Sequence, residues 1–269
     1  MALYDPVNGV YRKVSKKYDP VNGVYRNVVA AYDPVDGVYR KYFGGGGNAG
    51  SLKVGDSIWI NVKNTPTEFL VVHQGNPDSA IYDASCDGTW LLAKNVWASK
   101  TWDEDDEQAL PMRPADNYYG DSIMHSYWLD YEFRNSIDSN VKNQIKQVKI
   151  PYWTGTGISG LSTKTFLLSG YEVGWTTGNS DYFPVDGACL DYFKGTAQTD
   201  AKRIAYYTGS AKAWWLRSPY KNNETSVFCV ATNGTWTTYK CHNSYGVRPA
   251  FIMDSSTPIT QANGKNIIE

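Results

Sequence analysis

A nine-residue unit, Tyr-Asp-Pro-Val-Asn-Gly-Val-Tyr-Arg, occurs three times at the start of the chain and restricts the fold more than any other feature. The copies run from Tyr4 to Arg12, Tyr18 to Arg26 and Tyr32 to Arg40, a period of fourteen residues, with Asp36 where the earlier copies have Asn8 and Asn22. Asn-Gly and Asp-Gly accept the positive φ angles of a type I′ turn, and the flanking Val and Tyr favour extended backbone, so each unit is expected to form a β-hairpin. The Pro two residues before each turn keeps its strand at an edge or opens it. One hairpin cannot bury a core alone, so the three must stack on one another, on the rest of the chain, or on copies from other chains. Oligomerisation or docking onto a larger assembly is the expected role of residues 1–43.

Gly44-Gly-Gly-Gly-Asn-Ala-Gly50 lacks any large side chain and reads as a flexible hinge, so residues 44–51 are expected to be a linker. Residues 52–269 then form one domain. Within it Ser57–Asn61, Glu68–His73, Leu91–Val96 and Thr165–Ser169 read as strands. Asp121–Lys149 reads as a helix, because Trp128, Leu129, Phe133, Ile137, Val141, Ile145 and Val148 recur at spacings of three and four, and Pro151 is expected to stop it. Short strands are expected at Trp214–Arg217, Val227–Ala231, Thr235–Tyr239 and Val247–Ile252. One helical region followed by a loop-rich, aromatic β region describes an α+β domain.

The sequence is 42% hydrophobic and 20% charged, enough to build a core. Its 26 basic and 27 acidic residues nearly balance, which argues against nucleic acid as a partner, since that binding draws on excess Lys and Arg. No apolar run of eighteen residues exists, so membrane insertion is not expected. The N-terminus has neither the basic nor the apolar region of a signal peptide. Ten Trp, 21 Tyr and 8 Phe make 14% of the chain, a content that suits either a binding surface or the core of a loop-rich domain.

Motifs for chemistry are sparse. Gly155-Thr-Gly-Ile-Ser-Gly160 matches the dinucleotide pattern, but the residues after it read as loop and strand rather than helix, so a hairpin-like connection is expected. Asp103-Glu-Asp-Asp-Glu107 lacks the Gly and spaced Glu of a calcium loop and reads as a solvated acidic loop. His73, His125 and His242 lie far apart, and Cys86, Cys189, Cys229 and Cys241 form no CxxC pair. Four scattered thiols are compatible with a reducing compartment. No cofactor, metal site or catalytic residue is expected.

The C-terminal part is more informative. Trp214-Trp-Leu-Arg-Ser-Pro219 and Gly246-Val-Arg-Pro-Ala-Phe251 read as framework, with aromatic and aliphatic bulk, one Arg each, and Pro and Gly to shape the backbone. The interval between them is rich in Asn, Thr, Tyr and Ser, a mixture of rigid amphipathic anchors and adaptable hydrogen-bonding groups like that of a paratope.

These two blocks, with Thr165–Ser169 and the helix ending near Val148, closely resemble a family of C-type-lectin-fold domains of gut bacteria and their phages, from the branch shared with formylglycine-generating enzymes. Many members resemble variable proteins of diversity-generating retroelements, in which template adenines are mutated during reverse transcription and the altered copy replaces a short stretch of the target gene. The resemblance covers about Leu52 to Phe251, and the N-terminal units are similar to repeats found ahead of such domains in phage-like proteins.

The resemblance implies a non-enzymatic ligand- or receptor-binding protein without a cofactor, with a C-type lectin fold behind the hairpin repeats. It places the diversified ligand-binding positions at Tyr220, Asn222, Asn223, Glu224, Phe228, Cys229, Thr232, Trp236, Thr238, Tyr239, His242, Asn243 and Tyr245, covering one exposed face, with Val227, Val230 and Gly234 as scaffold. Adenine mutagenesis of AAC codons yields Asn, Tyr, Ser, Thr, His, Asp, Phe and Cys but neither Trp nor Glu, so Trp236 and Glu224 are fixed or come from other codons. The implied setting is a phage virion or a bacterial cell surface, the implied target a bacterial surface protein or glycan, and the repeats would join copies, as a trimer by analogy with phage fibres. A formylglycine-generating-type oxidoreductase is the rival class, with Cys229 and Cys241 as its only candidate copper ligands. A carbohydrate-binding lectin is the third, although the Glu-Pro-Asn and Trp-Asn-Asp sugar motifs are missing.

Overall fold

The computed structural model describes residues 47–104, 116–176, 182–195 and 200–268, and the backbone of six strands before them. Those six are β1 (Tyr4–Val7), β2 (Val10–Lys13), β3 (Tyr18–Val21), β4 (Val24–Asn27), β5 (Ala30–Val35) and β6 (Val38–Gly44). They pair as three antiparallel hairpins in the register the repeat demands, with Val7 opposite Val10, Val21 opposite Val24 and Val35 opposite Val38. The same register sets Asp opposite Arg in every unit, at Asp5 and Arg12, Asp19 and Arg26, and Asp33 and Arg40. The turn residues, Asn8-Gly9 and their equivalents, lie outside the described residues.

The remaining elements, in order, are β7 (Gly47–Asn48), β8 (Ser57–Val62), β9 (Thr65–Gln74), β10 (Thr89–Ala93) and β11 (Ala98–Thr101). A π-helix (Met124–Phe133) follows, closed by one α-turn, α1 (Arg134–Ser136), and a short helix, α2 (Ser139–Gln144). Then come β12 (Val148–Trp153), β13 (Ile158–Thr163), β14 (Tyr206–Tyr207), β15 (Ser210–Ala211), β16 (Trp214–Pro219), β17 (Ser226–Val230), β18 (Trp236–Lys240), β19 (Ser244–Val247), β20 (Ala250–Met253), β21 (Pro258–Ala262) and β22 (Lys265–Ile267). The chain is therefore mostly β with few helices, an α+β arrangement. Among the described residues no helix is long and apolar enough to cross a membrane.

Two sheets organise it. The larger has the strand order β20-β10-β9-β8-β22-β21-β7 and the smaller β11-β19-β16-β17-β18. The larger sheet is apolar on both faces, and the period of two explains how. Phe69, Val71, Leu91, Phe251 and Met253 face a cluster with Phe133, Ile137 and Val141 from the helical region. Their neighbours Leu70, Val72, Trp90, Leu92 and Ile252 face the main core, which holds Trp102, Trp214, Trp215 and Phe228.

Several expectations need revision. The 3.6-residue period marks the buried face correctly, but no single helix spans it: Ile137 and Ile145 are extended and bridge to Val62 and Met253, and Asp138 N–H donates to the Asn61 carbonyl. Pro151 sits within β12 rather than at a helix end. Thr165–Ser169 is not a ladder strand; it contributes one bridge, Phe166 to Ala250. Part of the glycine-rich linker belongs to the sheet. Gly47–Asn48 pairs with β21, and Ala49 is fully buried with its N–H donated to the Thr257 carbonyl at 2.8 Å.

The GxGxxG segment supplies the end of the β12–β13 connection and the start of β13, with Thr154 N–H bonded to the Gly157 carbonyl and Gly155 at φ +94°. Of the acidic run, Asp103 is buried rather than solvated, accepting from the Ile123 and Asp116 backbone N–H groups at 3.2 and 3.3 Å. Glu104 is exposed, and residues 105–107 lie outside the described residues.

Candidate binding face

Both framework blocks are buried, and their arginines explain why these residue types stand there. Arg217 is fully buried and makes a bidentate pair with Glu172, each nitrogen to oxygen distance being 2.6 Å. Its remaining donors reach the Pro151, Leu167 and Asp186 carbonyls. Burial works against the guanidinium charge, but the Glu172 carboxylate outweighs it and the pKa rises above the ordinary arginine value. Glu172 also accepts from the Tyr82 hydroxyl and the Ser169 N–H. Next to it, both oxygens of buried Asp186 accept from Ser218 Oγ, and burial pushes this carboxyl up to about 7.

In the second block Arg248 lies over the Trp214 ring at 4.9 Å and donates to the Ala93 carbonyl, and burial lowers its pKa to about 10. Gly246 leaves no room for a side chain, since a Cβ there would stand 2.8 Å from Val96 Cγ2 and 2.9 Å from the Ala213 carbonyl oxygen.

On this support the interval from Tyr220 to Tyr245 forms a loop, the β17–β18 hairpin, a second loop and the start of β19. The loop after Tyr220 is held from beneath by Asn117, whose buried amide donates to the Tyr220, Asn223 and Ser226 carbonyls at 3.2, 3.0 and 2.8 Å. Asn223 Oδ1 closes that loop by accepting from the N–H and hydroxyl of Thr225, and Lys240 Nζ donates to the same hydroxyl.

The expected ligand-binding residues separate into four groups. Asn222, Glu224 and His242 are exposed, and Tyr220, Asn223 and Asn243 half-buried; all six lie at the end of the hairpin where Ser226 meets Lys240. Thr232 is exposed at the opposite end, about 13 Å away by the rise of a five-residue strand. Trp236, Thr238, Tyr239 and Tyr245 are half-buried on β18 and β19. Phe228 and Cys229 are fully buried in β17 and reach no surface. Phe228 instead stacks on Phe183 at 3.6 Å and meets Trp236 and Tyr220 edge-on, so it supports the face from inside.

The register divides the β18 residues between two faces of the sheet. Trp236 and Thr238 stand opposite Val230 and Phe228 on one face, and Tyr239 stands opposite Val227 on the other. There Tyr239 stacks on Tyr245 at 3.7 Å, and Tyr245 abuts Trp215. Partial burial and the neighbouring Tyr239 push the Tyr245 hydroxyl up to about 12. The expected single face is thus an edge strand showing both of its sides. Val227, Val230 and Gly234, the expected scaffold, are buried; a Cβ on Gly234 would stand 2.5 Å from the Asp200 carbonyl oxygen.

Tyr182 is exposed beside this face, at 41%, and stacks on Tyr220 at 5.7 Å; Val185, three residues on, is also exposed. Sequence reasoning missed them because they lie in the aperiodic stretch after Val173, where only the density of aromatic residues marks a surface role. Asn117 carried no sequence signal.

The rival metal ligands sit in an unfavourable place. Cys229 and Cys241 are fully buried, and burial raises the first thiol well above its ordinary value and the second to about 12, which disfavours the thiolate that binds metal. His73 faces Asp191 at 2.8 Å, and burial lowers the pKa of both His73 and His125.

No curated protein and no solved structure matches the chain. The family described as a domain of unknown function, DUF6273, matches residues 87–255, a span that takes in both framework blocks and everything between them, and the chain belongs to that family.

Proposed function

We propose that the chain is a non-enzymatic ligand-binding protein with a C-type lectin fold of the formylglycine-generating-enzyme-like branch, a variable protein of a diversity-generating retroelement displayed on a phage particle or bacterial cell surface. Its ligand face is the interval from Tyr220 to Tyr245, less the buried Phe228 and Cys229, and its target is a bacterial surface protein or glycan. The observation that carries this reading is the separation of framework from surface. Arg217, Arg248 and all of β17 are buried, while the Asn, Thr, Tyr and His candidates between the blocks are exposed or half-buried, at strand ends and on an edge strand. Such a scaffold holds its contact residues in place before binding, which lowers the ordering cost, and it lets them be exchanged without disturbing the core. The N-terminal hairpins would join copies, and several copies on one particle convert weak contacts into avidity. The oxidoreductase alternative has less support, because its two candidate thiols are buried with raised pKa values.

Deep sequencing of this gene across its source population tests the proposal. Substitutions should concentrate at the outward positions between Tyr220 and Tyr245 and spare Trp214–Pro219, Val227, Phe228, Val230 and Gly234. An interval no more variable than Trp214–Pro219 would overturn it.

A further inference from the structure

A surface trough lies where the β8–β9 turn meets the π-helix, and it reaches β11, the strand that pairs with β19. A cavity of about 580 Å³ is lined by Lys63, Asn64, Tyr131, Glu132, Asn135 and Ser139, among others. It adjoins one of about 450 Å³ that shares Lys63 and Glu132 and continues past Thr65, Thr67, Ser99 and Tyr207. Together they make an open trough with an aromatic wall and a lining of amides and hydroxyls.

Three features point to a ligand and to its chemistry. The aromatic wall is displayed rather than packed away: Tyr131 is 59% exposed, and its ring is steadied by stacking on Tyr127 at 5.5 Å with 24° between planes. The charges in the trough balance, two of each sign: Glu132 lies 3.6 Å from Lys63 Nζ and 3.2 Å from Lys100 Nζ, and Asp138 also lines it. That leaves no cluster of unopposed cations to recruit a phosphate or other anion.

The turn that supplies Lys63 and Asn64 is also built against backbone preference. Val62 pairs with Thr65, so these two residues alone connect the strands, and both have positive φ, +50° and +58°. The comparable turn at Asn263-Gly264, with φ of +53° and +73°, uses the unstrained pair for such a connection. Where the trough lies, the chain instead has Lys at the first turn position and Asn at the second, where Gly is favoured, and both line the cavity. A strained conformation is retained at a site where the side chains it presents are used.

We infer that this trough binds a neutral oligosaccharide, with the Tyr131 ring stacking on the C–H face of a sugar unit and Asn64, Asn135, Glu132 and the nearby hydroxyls pairing with its hydroxyl groups. A flat amphipathic ring beside alternating donors and acceptors matches a sugar, which has an apolar face and a polar rim. The open ends suit an extended chain rather than a compact cofactor.

Calorimetric titration of the full chain with cellohexaose, maltohexaose and chitohexaose tests the inference. At least one should bind saturably, Tyr131→Ala should weaken that binding about tenfold or more, and Ile158→Ala, at an exposed side chain on β13, should leave it unchanged. The double substitution Lys63→Asn with Asn64→Gly relaxes the turn while removing the side chains, so it should raise the melting temperature and abolish binding, a combination that misfolding cannot produce. Absence of binding by all three sugars, or binding that survives Tyr131→Ala and the turn substitution, would overturn it. So would binding lost on Tyr239→Ala but kept on Tyr131→Ala, which would move the sugar to the Tyr220–Tyr245 face.

Discussion

Arg217 and Glu172 show how single residues decide whether the framework holds. Both are excluded from solvent, and their pairing is worth its desolvation only because each is also saturated by backbone and hydroxyl partners. Removing one charge strands the other, so Glu172→Gln should lower the free energy of unfolding by about 3–5 kcal/mol in a urea titration. Asp186 predicts a pH dependence. Its carboxyl is held at about 7 in the folded chain against an ordinary 3.8, so between those values the folded state binds more protons than the unfolded one. Its contribution is therefore greatest at about pH 4 and declines as pH rises to about 7. Burial lowers the pKa of His73 and His125, which gives the opposite slope below their ordinary 6.5. The contrast with Asp186→Asn isolates the carboxyl: relative to that variant, the parent chain should gain thermal stability as pH falls from 7 to 4.

Among the elements, the β17–β18 hairpin joins a fully buried strand to a half-exposed edge strand. Phe228→Ala should cost about 3–5 kcal/mol, because it leaves a void between Phe183, Tyr220 and Trp236. His242→Ala and Asn222→Ala, whose side chains are exposed, should each stay within about 0.5 kcal/mol of the parent. Thermal unfolding of the three variants side by side checks both. The difference also marks where sequence reading succeeds. The repeat hairpins were legible because Asn-Gly and Asp-Gly between Val residues set a local register. Trp214–Pro219 was legible because bulk beside Arg and Pro suits burial alone. Phe228 and Cys229 were misplaced because β17 is covered on both faces, which erases the alternation that distinguishes inside from outside. The helical period of Leu129, Phe133, Ile137 and Val141 gave the correct buried side, but the breaks at Ile137 and Ile145 come from pairing with Val62 and Met253, residues remote in sequence.

For the whole molecule, the testable division lies between the three repeats and the domain C-terminal to them. A chain beginning at residue 44 should unfold at the same temperature as the full chain and sediment as a smaller species if the hairpins join copies. A chain beginning at residue 52 should unfold at a lower temperature, because it lacks β7 and the buried Ala49, whose carbonyl accepts from Gln74 Nε2. Sedimentation and melting of the three lengths separate assembly from folding.

The seat of Gly47–Ser51 has a mechanical meaning as well. Tension arriving from the repeats meets a two-residue ladder on β21, then the bonds from Ala49 and Gly50 to the Thr257 and Ser255 carbonyls, before it reaches β8. Those few contacts would part first, releasing about 3.3 Å of slack per residue while β8, β9, β10 and β20 remain zipped. The junction would act as a short, resettable shock absorber between the repeats and the sheet.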